Sequence, residues 1–305
     1  MTRQRGVAAV TALLIVAVAA GAATLMLAQQ SALLDQTLLV SGRAQADLYA
    51  QAGLDWARGV LQQDGQVSTV DSLDEGWARP IGGMPIERAV VAGDITDEQG
   101  KFNLNNLVDR QRRSEPDYKL LRQLLVLVEL SPDLADAVVD WIDGDDNLES
   151  GAGAENAYYL SLPRPYRAAN EPMLTVDELY RVRGFDARAV AKLRPYVTAL
   201  PERTAINVNT APDRVIAAAF GVPSEAGAQL LAPRASKPFP DKTAFFARAS
   251  QAGLIAVNEF DVKSKWFFVR VAVAQDEVRV ATESLVKRDP EARGTTAIVW
   301  RRPRY

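Results

Sequence analysis

The chain has 305 residues, of which 48% are hydrophobic and 24% are charged, and its formal net charge is -3. These values are typical of a globular protein with room for more than one domain, and they argue against disorder over most of the length. The small net charge gives no electrostatic reason to expect nucleic acid as the main partner. Cysteine and histidine are absent, which excludes disulfides, cysteine nucleophiles, thiolate zinc sites and histidine acids or bases.

The N-terminal segment predicts a membrane-spanning helix. Residues 7–28 carry no charged side chain, and a helix of that length covers about 33 Å, enough to cross a bilayer's hydrocarbon core. Arg3 and Arg5 precede this run and Asp35 is the first charge after it, so the positive-inside rule keeps the N-terminus cytoplasmic and exports the body. The alternatives are a plain single-span anchor and an ordinary secretory signal, whose apolar core is usually shorter.

Residues 29–63 predict an amphipathic continuation of the same helix. Five apolar residues fall within about a quarter of the helix circumference. One helix of about 57 residues, or about 85 Å, would run from the membrane into the body. The five residues are Leu34, Leu38, Leu48, Ala52 and Trp56.

The flanks of the apolar run, "RQRGVAAVTALLIV", resemble a type IV pilin-like signal. A prepilin peptidase cuts such signals after the glycine and methylates the new N-terminus. The resemblance therefore implies cleavage between Gly6 and Val7 and N-methylation of Val7. Most such proteins carry a glutamate five residues into the mature chain, where this sequence has Thr11. That departure matches one subfamily.

The pattern after the long helix changes first to strands and then to helices. Residues 86–98 mix β-branched residues with alternation, and Gly100 follows at a turn position, which predicts a strand, a turn and a strand. Apolar residues at helical spacing, with candidate caps, then predict a helical block over 115–262. The candidate caps are Ser131, Thr175 and Thr210, with Pro132 and Pro212 early in their helices.

The last segment, residues 263–305, predicts an antiparallel meander. Its runs "KWFFVRVAVAQ", "DEVRVATESLVKR" and "TTAIVWRRPR" alternate apolar and polar residues and are separated by turn sequences. A sheet with one apolar face must bury that face, and the long N-terminal helix offers an apolar stripe. The pattern indicates a helix-plus-sheet body whose sheet is interrupted by a large helical insertion.

The densest polar cluster, "DWIDGDDNLESGAGAENAYY", predicts a calcium site. Its crowded carboxylates repel one another unless a cation joins them, and calcium suits oxygen ligands at flexible spacing. Asp143, Asp145 and Asn147 match the first ligand positions of an EF-hand loop, but Leu148 stands where that loop needs glycine. The alternatives are a solvated loop whose polar side chains fix turns and a carboxylate pair for glycoside hydrolysis, with tyrosines nearby.

Two stretches, "GKFNLNNL" and "INVNTAP", share an alternating asparagine pattern. Asparagine side chains bond neighbouring backbone groups, so one interpretation is capping and turn fixation at helix borders. The longer stretch "INVNTAPDRVIAAAFGVP" also resembles a helix-hairpin-helix element of DNA-uptake proteins, with Gly221 in the hairpin. Its second half lacks a basic helix and the chain is slightly acidic, which argues against nucleic acid binding.

Five ordered motifs together resemble the minor pseudopilin K family of the bacterial type II secretion system, over nearly the whole chain. They are "RGVAAVTALLIV", "DEQGKFNLNNL", "VVDWIDGDDNLESGAGAENAYY", "EPMLTVDEL" and "INVNTAP". The resemblance implies an α+β fold in which a type IV pilin-like long helix packs on an antiparallel sheet, with a large α-helical domain inserted between strands. The implied segments are a leader at 1–6, a transmembrane segment at 7–28, a pilin-like helix and first strands at 29–114, the inserted domain at 115–262 and C-terminal strands at 263–305.

The resemblance also implies ligands and partners. Calcium is carried over to Asp143, Asp145, Asn147 and Glu155, although Asn156 stands where an acidic residue is expected. Family members act in assembly and not as enzymes: they cap the tip of a periplasmic pseudopilus with minor pseudopilins I and J, start its assembly and help to export folded proteins. Minor pseudopilin H, major pseudopilin G and the prepilin peptidase are further implied partners.

The implied location is the bacterial inner membrane, crossed once, with the body in the periplasm and no nucleic acid bound. Two alternatives from other classes stay open at this point. One is a membrane-anchored periplasmic DNA-binding uptake protein, and the other is a membrane-anchored hydrolase.

Overall fold

The computed structural model describes residues 4–289, 292 and 294–304. Its parts are a long N-terminal helix, an antiparallel sheet and a helical domain inserted into that sheet. The helices are α1 (Gln4–Val67), α2 (Glu115–Leu127), α3 (Leu134–Ile142), α4 (Asn156–Tyr159), α5 (Ala187–Leu193), α6 (Asp213–Phe220), α7 (Ser224–Leu231) and α8 (Lys242–Gln251). The strands are β1 (Ile81–Ile86), β2 (Ala89–Asp97), β3 (Phe102–Asn103), β4 (Val108–Asp109), β5 (Arg112–Arg113), β6 (Val197–Thr198), β7 (Ile206–Asn207), β8 (Phe260–Asp261), β9 (Trp266–Gln275), β10 (Val278–Asp289) and β11 (Thr295–Pro303).

The N-terminal helix is unbroken over its 64 residues, so the predicted continuous helix from the apolar run into the body is confirmed. Its apolar part has a mean hydropathy of 2.4 and is not covered by any of the residues that the structure describes. Within the described residues, α1 is the one helix that by itself is long and apolar enough to cross a membrane. The leader residues 1–3 lie outside the described residues.

The sheet has the strand order β1-β2-β9-β10-β11, with antiparallel pairing throughout. The last three strands are the predicted C-terminal meander, which is confirmed. β2 pairs with β9 across the whole insertion, with Asp97 opposite Phe267. The helical domain therefore leaves the sheet after β2 and returns immediately before β9.

The sheet is covered by a narrow face of α1 made of small residues and two leucines. Gly53 permits close approach, because a Cβ at that position would lie 2.9 Å from a methyl group of Val271. This face and the strands form one core with Trp77 and Phe267. The buried helix residues are Ala46, Ala50, Leu54, Ala57 and Leu61.

The apolar stripe predicted to cover the sheet lies on the opposite side of α1. Leu34, Leu38, Leu48 and Trp56 are all exposed, Leu48 to 70% and Trp56 to 53%. The prediction of a helix packed on the sheet is right, but the predicted face is wrong. Sequence periodicity predicts that the face with the largest apolar residues is buried. In the structure the buried face carries small side chains instead, because these let the helix backbone pack closely against the sheet.

The helical domain has its own core, which begins at Phe102 and ends at Val262. The 3-10 helix Leu104–Leu107 and the short strand β3 belong to that core. The domain thus starts earlier than predicted, since the boundary was expected between residues 114 and 115. The reason is that the segment around residue 102 pairs with β6 inside the domain rather than extending the sheet.

The predicted caps meet different outcomes. Thr175 is the N-cap residue, as predicted, but of a 3-10 helix instead of an α-helix, and its N–H donates to the Glu178 carboxylate at 3.4 Å. Ser131 does not cap α3, whose N-cap is Asp133; it lies in the turn before the helix, where its Oγ accepts from the Asp133 N–H at 3.3 Å. Thr210 does not cap α6, since its hydroxyl donates to Asp97 Oδ2 at 2.6 Å.

Asparagine side chains of the two motifs form hydrogen bonds between segments that are distant in sequence. This role goes beyond the local capping that was predicted. Asn207 Nδ2 donates to the backbone oxygen of Asp71, to Asp97 Oδ2 and to Ser264 Oγ, at 2.9–3.0 Å. Asn106 donates to the backbone oxygen of Thr204 at 2.8 Å. These buried amides hold the segments by which the chain enters and leaves the helical domain.

Candidate functional site

The acidic loop connects α3 to α4 and is held against the helical domain. Most of α3 is buried, including Asp136 and Asp140. Ser150 Oγ donates to Asp136 Oδ2 at 2.6 Å, and the Glu149 N–H donates to Asp140 Oδ1 at 2.9 Å. Residues of the loop are therefore folded back onto the last two turns of α3.

Carboxylates converge at the point where the loop meets α3. Asp140, Asp143 and Glu149 each place a carboxylate oxygen within 4.8 Å of the other two. Asp140 lies in the last turn of α3, and Asp143 is the C-cap residue that follows it. Glu155 approaches from the other end of the loop, just before α4, and is 97% buried.

Several buried oxygens of this cluster have no hydrogen-bond partner among the described residues. A buried polar atom without a partner is costly, so such a group of atoms indicates a ligand that would satisfy them. They are Asp140 Oδ2, Asp143 Oδ1 and both carboxylate oxygens of Glu155. Asn170 Oδ1 is also unpartnered, and the Nδ2 of the same side chain donates to the Asp145 carbonyl of the loop at 3.0 Å.

The raised pKa values of the acidic side chains also favour a bound cation. Burial, followed by the charge of Glu149, raises the pKa of Asp140 to about 6. Burial and the charge of Asp145 raise the pKa of Asp143 to about 7. Burial and the neighbouring charges of Asp140 and Asp143 raise the pKa of Glu155 to about 8. A divalent cation among these groups would favour their ionised forms.

The backbone of the loop approaches the cluster so closely that a side chain would not fit. A Cβ at Gly153 would lie 2.0 Å from Asp140 Oδ2. The backbone of this buried glycine therefore forms a wall of the site. The atoms available there as metal ligands are carboxylate and amide oxygens, which are the ligands that calcium prefers in proteins.

The structure brings together two of the four predicted ligands with residues outside that set. Asp143 lies in the cluster with Asp140, and Glu155 is near enough to both for their charges to raise its pKa. Asp145 is exposed, and its Oδ1 accepts from the N–H and the side-chain amide of Asn147, at 2.8 and 2.7 Å. Asn147 therefore supports the loop as a donor in this geometry. The calcium assignment stays a prediction.

Three residues at or beside the cluster were not in the predicted ligand set. Asp140 and Glu149 belong to the same acidic segment, and a carboxylate in the middle of the apolar run Val138–Ile142 was a usable signal for Asp140. Asn170 lies beyond the acidic segment, and no motif marks it. Its backbone N–H donates to the Trp141 carbonyl at 3.0 Å, which places its side chain beside α3.

Asn156, which stands where an acidic residue was expected, links the loop to a later segment. Its Nδ2 donates to Asp146 Oδ1 at 2.6 Å, and its Oδ1 accepts from the Ala168 N–H at 3.1 Å. A neutral amide performs both contacts because it donates and accepts at once.

The geometry does not favour the hydrolase alternative. The tyrosines near the acidic loop pack around Trp141 in an aromatic cluster, with Tyr159 at 5.2 Å and Tyr166 at 6.3 Å between ring centroids. Tyr159 is fully buried. These rings belong to the domain core, whereas a glycosidase needs carboxylates that flank an aromatic-lined cleft.

The DNA-binding alternative finds no support at α6 and α7 either. Gly221 ends α6 with a positive φ of 65°, as expected for a left-handed cap. Arg234, which follows α7, donates to the backbone oxygens of Val208 and Ala211 at 3.1 and 2.6 Å. Its guanidinium therefore bonds groups of its own fold.

Comparisons with known proteins bear directly on the family. Residues 100–202 and 206–263 match family models described as type II secretion system (T2SS), protein K. Type II secretion system protein K of Pseudomonas aeruginosa is 34% identical over 304 residues, covering 95% of this chain and 90% of that protein. The protein of the same name from Aeromonas hydrophila is 33% identical over 312 residues, covering 94% and 93%.

A solved structure agrees with these relatives. A chain in the crystal structure of the GspK-GspI-GspJ complex from the enterotoxigenic Escherichia coli type 2 secretion system matches with a TM-score of 0.76 and 25% sequence identity. The match covers 88% of this chain and 99% of that chain. The family resemblance indicated by the five motifs is confirmed, and so is the predicted fold. The chain therefore belongs to the protein K family of the type II secretion system and is a minor pseudopilin.

Proposed function

We propose that this chain caps the tip of the type II secretion pseudopilus, starts its assembly with minor pseudopilins I and J, and supports export of folded proteins across the outer membrane. The observation that carries the proposal is its likeness to a chain of the GspK-GspI-GspJ complex over nearly the full length of that chain. Minor pseudopilin H and major pseudopilin G are further proposed partners. The proposed role is assembly and not catalysis.

The position of the helical domain supports a tip role. Val278, at the start of β10, lies beside Gly42 of α1, whereas Arg288, near the end of β10, bonds Asp64 near the end of α1. The helical domain joins the sheet at this second end, opposite the apolar part of α1. A domain in that place would block the addition of another subunit above it.

The exposed apolar face of α1 supports helix-to-helix assembly. Leu34, Leu38 and Leu48 continue the apolar surface of the spanning segment into the part of the helix beside the body. The face then meets an apolar groove of about 250 Å³, lined by Trp56 on α1 and Met84 on β1 among others. Exposed apolar surface of this kind marks an interaction site. We assign it to the N-terminal helices of I and J, which would rise from the same membrane.

Thr11 is consistent with the first position in a helical assembly. Its hydroxyl donates to the carbonyls of Val7 and Ala8 at 3.1 and 3.0 Å, so it is satisfied within its own helix. If the usual glutamate pairs with the N-terminal amine of a preceding subunit, the first subunit has no such neighbour. Thr11→Glu is then expected to leave secretion largely intact, and a severe loss of secretion would contradict this reasoning.

The proposed location is the bacterial inner membrane, crossed once by α1, with the body in the periplasm. The apolar run, the flanking arginines and the length of α1 support this arrangement. We further propose calcium in the acidic loop. Calcium added to chelator-treated protein is expected to raise its melting temperature, because a ligand that binds only the folded state stabilises it. No shift at millimolar calcium would contradict the site.

The test of the assembly role is co-purification of the full chain with I and J from membranes. Leu48→Lys places a charge on the exposed apolar face and is expected to abolish co-purification and secretion. Asp47→Lys introduces the same side chain at the neighbouring exposed position and is the matched control, expected to retain both. Equal recovery of I and J with Leu48→Lys would exclude this face as the assembly surface.

A further inference from the structure

The hairpin β4–β5 is docked onto the acidic loop. Arg110 and Gln111 form its turn with positive φ angles of 48° and 64°, a backbone conformation that such residues seldom adopt. Gln111 Oε1 accepts from the Gly144 N–H at 3.0 Å. The hairpin and the acidic loop are therefore in direct contact, although 33 positions separate the two residues.

Arg113, on the second strand of this hairpin, is held by several partners at once. Its Nη1 donates to Glu149, and its Nε donates to Glu115 at 3.0 Å. Its guanidinium carbon lies 4.2 Å from the centre of the Tyr118 ring. Arg113 is one quarter exposed. The guanidinium is thus fixed at the edge of the acidic cluster and does not extend into solvent.

Glu149 connects the two features, because it belongs both to this ion pair and to the carboxylate cluster with Asp140 and Asp143. We propose that Arg113 is an internal counter-charge of the cation site. It neutralises Glu149 when no divalent cation is bound, and it competes with the cation for that carboxylate. Arg113 therefore sets how tightly the loop binds a divalent cation. This inference rests on the calcium site proposed above.

The direction of the effect follows from the charges. A fixed positive guanidinium beside Glu149 repels an incoming divalent cation and occupies one of the carboxylates that would attract it. The same guanidinium reduces repulsion among the carboxylates while the site holds no cation. Removal of the charge should therefore tighten cation binding and destabilise the metal-free loop.

The test measures calcium binding by titration calorimetry, using the full chain in detergent after treatment with a chelator. Arg113→Gln is expected to bind calcium about fivefold to tenfold more tightly than wild type. Arg113→Lys keeps the charge and is expected to bind within about twofold of wild type, by the same charge argument. The matched control is Arg122→Gln. Arg122 lies over the same Tyr118 ring, at 5.7 Å, but pairs with Asp133, so its loss should leave calcium affinity unchanged.

A second set of measurements separates competition from simple support of the loop. On a Glu149→Gln background, Arg113→Gln should tighten binding much less, because the shared carboxylate is gone. With chelator present, Arg113→Gln should lower the melting temperature more than Arg122→Gln does. Equal or weaker calcium binding by Arg113→Gln, with wild type binding normally, overturns the competition alone. Wild-type protein that binds no calcium overturns both the site and the competition.

Discussion

Arg288 and Asp71 form an ion pair that is buried completely. One terminal nitrogen of the Arg288 guanidinium donates to both carboxylate oxygens of Asp71, at 2.5 and 2.6 Å, and neither side chain is exposed. The other terminal nitrogen donates to Asp64 near the end of α1 at 2.8 Å. The backbone oxygen of Ser264 accepts a further bond. One guanidinium thus joins α1, the following loop, β10 and the segment that returns from the helical domain.

Arg288→Met is expected to destabilise the protein by about 3–5 kcal/mol, because it leaves the buried Asp71 carboxylate without its partner. Lys287→Met is the matched control on the same strand. Lys287 pairs with Glu202 in a partly exposed position, and a pair of that kind contributes about 1 kcal/mol or less. Thermal unfolding of both variants in detergent measures the difference. Equal losses would show that the buried pair has no special role.

Glu155→Gln is expected to abolish the stabilisation by calcium without destabilising the metal-free protein. The variant removes one ligand charge and also relieves repulsion among the carboxylates. Wild type should gain about 2–3 kcal/mol when free calcium is 100 times its Kd, and Glu155→Gln should gain less than about 1 kcal/mol at the same concentration. Asp47→Asn, far from the loop, should keep the full gain. A full gain by Glu155→Gln would exclude that residue as a ligand.

The metal-free protein is expected to lose stability as pH rises from about 4 to about 8. The folded-state pKa values of Asp140, Asp143 and Glu155 are raised, to about 6, about 7 and about 8. The folded state therefore holds protons that the unfolded chain releases at lower pH, and the stability they provide is lost as pH rises through these values. Melting temperatures across this range, with chelator or with calcium, measure the effect.

Calcium should remove most of this loss, because it binds the ionised carboxylates. Burial raises the pKa of Asp64 and Asp97 in the same direction, so Glu155→Gln is needed to isolate the contribution of the loop. That variant should show a smaller loss with chelator. A melting temperature that rises with pH in chelator would contradict the prediction.

Alanine substitutions at two glycines of α1 are expected to change stability in opposite directions. A Cβ at Gly59 would meet nothing within 4 Å, so Gly59→Ala should stabilise the helix by about 0.5–1 kcal/mol. Gly53→Ala would bring a methyl group 2.9 Å from Val271 and should cost about 1–3 kcal/mol from overpacking. Thermal unfolding compares the two. If Gly53→Ala stabilised the protein, α1 could not lie as close to Val271 as the structure shows.

Processing between Gly6 and Val7 is tested by intact mass and N-terminal sequencing of protein from membranes with and without a prepilin peptidase. A chain that starts at a methylated Val7 only when the peptidase is present is the expected result. A chain that retains residues 1–6 in both cases would contradict the pilin-like signal. Gly6→Val, which removes the glycine before the cut, should also block processing.

Periodicity and flanking charges sufficed to predict α1 and the C-terminal strands, and the density of carboxylates drew attention to the acidic loop. They did not predict which face of α1 the sheet covers, because Ala46 and Ala50 carry little hydrophobic signal while Leu48 carries much. The start of the helical domain near Phe102 was missed because a two-residue strand has no periodicity to detect. Asn170 was missed because its approach to the loop depends on tertiary folding alone.

The insertion between β2 and β9 has a consequence for the order of folding. The Glu98 N–H donates to the Trp266 carbonyl at 3.0 Å, so the inserted domain begins and ends at nearly the same point in space. During synthesis β2 emerges long before its second partner strand, β9, and closing so long a chain segment carries a large entropy cost. A helical domain that folds first joins its own two ends and brings β9 to β2. We therefore expect the helical domain to fold before the sheet closes.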